Sequence, residues 1–284
     1  MVIHRAFHKL DFLTTSSGIP TGMEFGTFRI LESLQKKLSG EIILVYDCPL
    51  AASELRKINP EYKSTRGQRS PEFYSRIEKL QNALNMVWTH SLVKGKEADS
   101  VLYNLSRELK GPHFIYSNDD DLLQAIDDSL GVQVVKSHES TLYYWDEVKV
   151  MDKYFLPPSL LVMLRAFIGD SSDNLPGVPR LPKKLMAEAI LHSLNQDGIP
   201  SIEKIKTENL FGPKIANSLI EFIDSGLFLR NFLVMELSHD CRPPVIPARR
   251  DNQKLIEFFT SLEIYTLNIC KEIGMDSVEE NEEF

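Results

Sequence analysis

Glu41-Ile42-Ile43-Leu44-Val45-Tyr46-Asp47 is a continuous apolar run, too short for a helix, set between Gly40 and Pro49. Such a run reads as a parallel strand buried on both faces. His113-Phe114-Ile115-Tyr116-Ser117, following Gly111-Pro112, is a second run of this kind, and Val132-Gln133-Val134-Val135 is a third. Helical faces lie between and around them: Phe28, Leu31, Leu34 and Leu38; Phe73, Ile77, Leu80 and Leu84; Val101, Leu102, Leu105 and Leu109, with Gly111 as a stop. Strands alternating with helices predict an α/β layer structure. After about residue 150 the strand signals fade. Helical patterns follow at 159–168, 183–193, 212–224 and 226–235, and these predict a helical second domain. Residues 240–250, rich in Pro and Arg, read as a linker before a last helix at 252–261.

The 284 residues are 43% apolar and 25% charged, enough to bury a core, which excludes a disordered chain or a disulfide-dependent miniprotein. No apolar run approaches membrane-spanning length, and Met1-Val2-Ile3-His4-Arg5 lacks the apolar block of a signal peptide, so a cytoplasmic location is expected. Cys48, Cys241 and Cys270 are scattered and read as reduced packing residues.

A net charge of −8 argues at first against a nucleic-acid partner. The tail 276–284 holds five acids and no base, so the rest of the chain carries −3. Seven further acids sit in short clusters, and if these bind metal the remaining surface totals +4. An acidic sum then no longer excludes DNA or RNA.

Both clear strands end in acids, where ligands bind in open α/β sheets. Asp47 ends the first, and Asp119, Asp120 and Asp121 follow the second. In an extended segment Asp119 and Asp121 share a side, which makes Asp120 the spectator. Glu97-Ala98-Asp99 opens a helix, where capping is the competing explanation. Asp170-Ser171-Ser172-Asp173-Asn174 lies in a turn between Gly169 and Gly177, and neither Asp-rich run has the Gly and Glu spacing of an EF-hand.

Seven converging carboxylates need protons or cations, and hard divalent ions, magnesium or manganese, suit them. Two such ions can activate a water on one side of a phosphodiester and stabilise the leaving oxygen on the other. The segment Glu54 to Arg69 adds five bases against two acids, with Tyr62 embedded. That composition suits a single-strand channel, or equally a solvated charged loop.

At these motifs the sequence resembles the 5′-nuclease family, the flap endonucleases and 5′–3′ exonucleases of bacterial and phage type, including the exonuclease domain attached to some DNA polymerases. The motifs run in order through nearly the whole chain: Arg5-Ala6-Phe7-His8 with Thr14 to Gly22, Tyr46-Asp47, Pro60-Glu61-Tyr62-Lys63 with Arg66, Glu97-Ala98-Asp99, Asp119-Asp120-Asp121, and Ile168 to Val178, the most specific stretch. The resemblance implies an α/β fold with a PIN-like parallel-sheet nuclease domain over 1–150 and a helical arch at about 50–85. It implies a helix-three-turn-helix DNA-binding domain over 151–240, with 241–284 as an extension ending in the acidic tail. Asp47, Glu97, Asp99, Asp119, Asp121, Asp170 and Asp173 would be the metal acids, holding two Mg2+ or Mn2+ ions. Arg5, Lys63 and Arg66 would contact phosphates at the scissile bond, and Arg56, Tyr62, Arg180, Lys183 and Lys184 would bind DNA. The implied activity is metal-dependent hydrolysis at a 5′ flap, nick or 5′ end, of DNA or an RNA primer, by a monomer with a DNA polymerase as partner. A catalytically impaired, branched-DNA-binding relative is the alternative.

Three departures stand out. The family starts with an apolar strand ending in Asp-Gly, and in this numbering that Asp precedes Met1. We expect a start assigned too late, because losing a central strand exposes backbone and core at a cost beyond the ~5–15 kcal/mol that holds a domain together. Ser100 stands where the family commonly has another Asp. The module's hairpin Gly-x-Gly-x-Lys is here Arg180 and Pro182 with Lys184 kept, so a K+ ion there is doubtful and duplex binding is expected to be altered.

Overall fold

The computed structural model describes residues 1–65, 67, 69–139, 141–237 and 241–275. In chain order these form α1 (Val2–Leu10), α2 (Gly22–Leu38), β1 (Ile43–Val45), α3 (Ala51–Ile58), α4 (Pro71–Asn85), β2 (Thr89–Ser91), α5 (Ala98–Glu108), β3 (His113–Tyr116), β4 (Val132–His138) and β5 (Thr141–Trp145). Helices then dominate: α6 (Glu147–Tyr154), α7 (Leu161–Ile168), α8 (Lys183–His192), α9 (Ile202–Thr207), α10 (Pro213–Asp224), α11 (Leu227–Met235), α12 (Asn252–Ser261) and α13 (Asn268–Glu272). Strands β2 and β5 and helices α6, α9 and α13 are additions to the sequence reading; each is short or lacks a clear apolar period. No helix among the described residues is long and apolar enough to cross a membrane. The acidic tail lies outside the described residues.

The chain forms two compact units that interleave along the sequence. The first comprises Met1–Leu44, Gln68–Ser91 and Val245–Phe284. Its core gathers Met23 and Phe28 from α2, Leu80 and Leu84 from α4, Trp88, and Leu255 and Phe259 from α12. Helices distant in sequence share this core, which explains why division follows packing and not chain order. Ser70 caps α4 through its hydroxyl, with Pro71 at the first helical position. Glu24 is 4% exposed, and Arg76 neutralises it with two hydrogen bonds, Nε at 3.0 Å and Nη2 at 2.7 Å.

The second unit comprises Val45–Gly67 and Leu92–Pro244. Here β3 pairs in parallel with β4, His113 opposite Val132 through Tyr116 opposite Val135, and β4 pairs antiparallel with β5. Val132, Val134 and Ile115 join Leu161, Leu164 and Phe167 of α7 and Met186 and Ile190 of α8 in one core. A parallel pair needs a crossover, and this one leaves the carboxyl end of β3 through residues 117–120 into a 3-10 turn at Asp121–Ala125. The predicted strand 41–47 shortens to Ile43–Val45 because the chain beyond it turns to the start of α5: the Cys48 N–H bonds the Lys96 carbonyl at 3.2 Å. All three cysteines are free and buried, as expected of packing residues.

Candidate metal centre

All seven acids singled out in the sequence belong to the second unit. Asp47 lies just past β1, and its Oδ1 accepts the Ala98 N–H at 2.8 Å, so it caps α5. Glu97 is the N-cap residue by position, yet its side chain caps nothing. Both its oxygens are engaged elsewhere: Oε2 accepts from the Tyr62 hydroxyl at 3.0 Å and Oε1 from Lys63 Nζ at 2.7 Å. Capping therefore does not explain Glu97. Asp99 sits in the first turn of α5.

The segment after β3 is not extended, as the same-side argument assumed, but turns immediately. Asp119 Oδ1 accepts the Asp121 N–H at 2.9 Å. Asp120 points away from that contact into a cage of Lys136 Nζ, Lys153 Nζ at 3.2 Å and the Tyr154 hydroxyl at 2.5 Å. Burial raises the Asp120 carboxyl, but hydrogen bonds from Lys136, Tyr154 and Lys153 with the charge of Lys136 outweigh it and hold the group well below the ordinary range. Asp120 is thus an anchor.

The loop after α7 is built on backbone proximity. A Cβ on Gly177 would meet the Ile168 carbonyl oxygen at 1.7 Å, and Gly169 has φ +77. Only glycine fits either place. Asp170 and Leu175 exchange backbone hydrogen bonds of 2.8 Å, and Asp170 Oδ1 accepts from the Ser172 N–H and hydroxyl at 2.8 and 2.7 Å. Asn231 of α11, fully buried, donates from Nδ2 to the Ala166 and Pro176 carbonyls at 3.0 and 2.7 Å.

Arg165 joins the two acidic loops, a role the sequence reading missed. Its Nε pairs with Asp121 and its Nη2 with Asp170 Oδ2 at 3.0 Å. The available signal was a single base inside the apolar helix Leu161–Ile168, since a buried cation needs a partner.

Electrostatics tie the set together. Burial, then repulsion from Asp119, Asp47, Asp121 and Glu97, pushes the Asp99 carboxyl up to about 8. Asp121 rises to about 7 through burial and through Asp119, Asp170 and Asp173, against the pull of Arg165. Every one of the seven acids enters one or both of these couplings. Among the described residues no three acids form a ready ion site. Glu97, Asp121 and Asp170 are instead taken up by Lys63 and Arg165. Hard carboxylate oxygens in excess of positive charge fit a divalent cation.

The other predicted residues are placed as follows. Lys63 has φ +53, and its N–H reaches the Asp173 carbonyl at 3.4 Å. Tyr62 is 3% exposed and packs with Val162, Leu175, Val234 and Met235, so its ring is a core element and offers no face for a base to stack on. Arg56 Nε donates to the Tyr62 carbonyl at 3.1 Å. Arg180, Lys183 and Lys184 are exposed around the start of α8. Arg180, at the family's glycine position, adopts φ +57, and Pro182 is the N-cap residue. Arg5 lies on α1 in the first unit, and Arg66 lies outside the described residues.

Fold and site together define an α/β protein in which acids from four segments are electrostatically coupled. Residues 1–155 match the model of the 5′-3′ exonuclease N-terminal, resolvase-like domain, and the chain belongs to that family. Its fold is the resolvase-like, PIN-like nuclease fold. The 5′-3′ exonuclease of Buchnera aphidicola subsp. Acyrthosiphon pisum is 27% identical over 73% of this chain and 73% of its own length. DNA polymerase I of Bacillus subtilis is 23% identical over 97% of this chain, which spans about a third (32%) of that polymerase. The T5 D15 protein co-crystallised with metal ions superposes with a TM-score of 0.62 at 17% identity, covering 83% of this chain and 86% of its own. A substituted form of the bacteriophage T5 D15 flap endonuclease, in a pseudo-enzyme-product complex with DNA and metal ions, gives 0.58 at 18% identity, covering 75% of this chain and 80% of its own.

Proposed function

We propose that the chain is a divalent-metal-dependent 5′–3′ exonuclease and 5′-flap endonuclease that hydrolyses DNA phosphodiesters in replication or repair. The observation that carries this reading is the electrostatic coupling of seven acids from four segments around Asp99 and Asp121. Asp47, Glu97, Asp99, Asp119, Asp121, Asp170 and Asp173 would hold two Mg2+ or Mn2+ ions. Bound there, the cations supply the positive charge that makes water a nucleophile and stabilises the leaving oxygen.

The chain's own residues do the rest. Lys63, with Arg5 and Arg66, offsets negative charge developing on the phosphate, which requires no covalent enzyme intermediate. For Lys63 this means exchanging Glu97 for a phosphate oxygen. Arg180, Lys183 and Lys184 hold the duplex through its backbone from a helix-three-turn-helix module. The substrate is a 5′ flap, nick or 5′ end, DNA or an RNA primer, processed by a monomer working with a polymerase.

A second reading, branched-DNA binding without cleavage, draws on the Lys63–Glu97 pair and on Ser100. A 5′-labelled flap substrate decides. Magnesium-dependent cleavage lost in Asp119→Asn supports the nuclease; tight binding without cleavage selects the second reading; neither binding nor cleavage removes both.

A further inference from the structure

Buried donors without an acceptor are costly and rarely survive unless something satisfies them. Two such donors in the second unit belong to residues that line one cleft: Asn59 Nδ2, just past the end of α3, and Arg230 Nε, on α11. Asn59 is 1% exposed. The Arg230 guanidinium makes one hydrogen bond, from Nη2 to Asn231 Oδ1 at 3.3 Å, which leaves most of its donors unused. The cleft encloses about 680 Å³ and is otherwise walled by Glu61, Ser171, Asn174 and the backbone of the Asp170 loop. That volume far exceeds what a single water fills and matches ordinary ligand sites.

The acids on the wall are already engaged. Glu61 Oε2 accepts from Asn174 Nδ2 at 2.9 Å. Asp170 accepts from Ser172 and pairs with Arg165. Among the described residues that line the cleft, Arg230 is the one base. Neither Glu61 nor Asp170 pairs with Arg230 or with Asn59 Nδ2, so the two donors lack an acceptor, and a charged one would also pair the guanidinium. A carbonyl ligand would satisfy Asn59 but leave the cation uncompensated. Phosphate oxygens accept without donating, and guanidinium binds them with two parallel hydrogen bonds.

We propose that this cleft is an oxyanion site formed by Asn59 and Arg230 that takes a phosphodiester group of the nucleic-acid strand, beside the Asp170 loop. The phosphodiester assignment rests on the nuclease reading above; the oxyanion chemistry does not. The site would hold the strand in register and contributes to binding more than to turnover.

The test uses the full chain, 15N-labelled, in EDTA so that no cleavage occurs. The Asn59 side-chain amide and Arg230 Nε–H resonances are followed during titration with inorganic phosphate and, separately, with a 5′-flap DNA. Both resonances are expected to move with both probes. Arg230→Met and the isosteric Asn59→Asp are each expected to weaken flap-DNA binding about tenfold, and Arg230→Met to lower the salt slope by about one. If flap DNA binds while neither resonance moves, the site is overturned, and this result needs no variant to fold. If phosphate moves both resonances but flap DNA does not bind at all, the nuclease reading fails while an oxyanion site for free phosphate stands. If neither probe moves them, the two donors are satisfied by water alone and the proposal falls.

Discussion

The loops 119–121 and 170–173 each contribute two acids to the candidate set, but are held in place by opposite means. The first is pinned by charge: Asp120 is gripped by two lysines and a tyrosine. The second is pinned by neutral contacts, glycines packed against backbone and the amide of Asn231. Arg165 then ties one to the other. Acid-bearing loops can thus be held in place by the protein alone, through paired charges or through uncharged backbone contacts. The difference predicts that the two loops respond differently to pH, salt and substitution.

The largest effect concerns pH. Asp99 and Asp121, at about 8 and about 7, lie above their value in the unfolded chain, 3.8. The folded protein therefore holds protons that the unfolded chain has released, and stability is full at low pH and falls as pH rises through these values. In EDTA, thermal unfolding between about pH 5 and pH 9 should show a loss on the order of 5 kcal/mol, less than two independent shifts would give because the protons are coupled. Millimolar Mg2+ should flatten that loss. A melting temperature in EDTA that does not fall over this range would contradict the coupling.

Removing the tie comes next. Arg165→Met leaves Asp121 and Asp170 facing each other without their cation and should cost about 3 kcal/mol at pH 8 in EDTA. Unlike a packing defect, this cost should shrink at pH 5 or with Mg2+, and Arg165→Lys should restore part of it. Denaturant unfolding in both conditions checks the point.

Asn231→Ala should destabilise by about 2 kcal/mol, leaving the Ala166 and Pro176 carbonyls without donors, and this cost should be the same at pH 5 and pH 8. A pH-dependent loss would mean that the second loop is also held by charge. Smallest is Asp120→Asn, about 1 kcal/mol because the carboxylate is a third exposed, and it should diminish in 0.5 M salt while the Asn231 effect does not.

Much of this was legible in the sequence. Helices α4 and α5 follow from the apolar faces Phe73, Ile77, Leu80, Leu84 and Val101, Leu102, Leu105, Leu109, because local pattern and burial agree there. The acids were visible because polar groups at strand ends are exceptional in apolar runs. What was not legible depends on partners distant in sequence. Nothing near Asp120 reveals that Lys136, Lys153 and Tyr154 close around it. Tyr62 sits among bases, so exposure was the natural reading, yet its neighbours in space are Val162, Leu175, Val234 and Met235. Strand β5 carries adjacent aromatics, Tyr143-Tyr144-Trp145, which hide the two-residue alternation of an edge strand.

The Asn231 clamp also bears on the order in which the molecule is completed during synthesis. All seven acids have been polymerised once residue 173 is added, but the loop that carries the last two rests on an amide more than fifty residues further along. Until α11 has left the ribosome, the nascent chain holds a full complement of carboxylates with one loop unsecured.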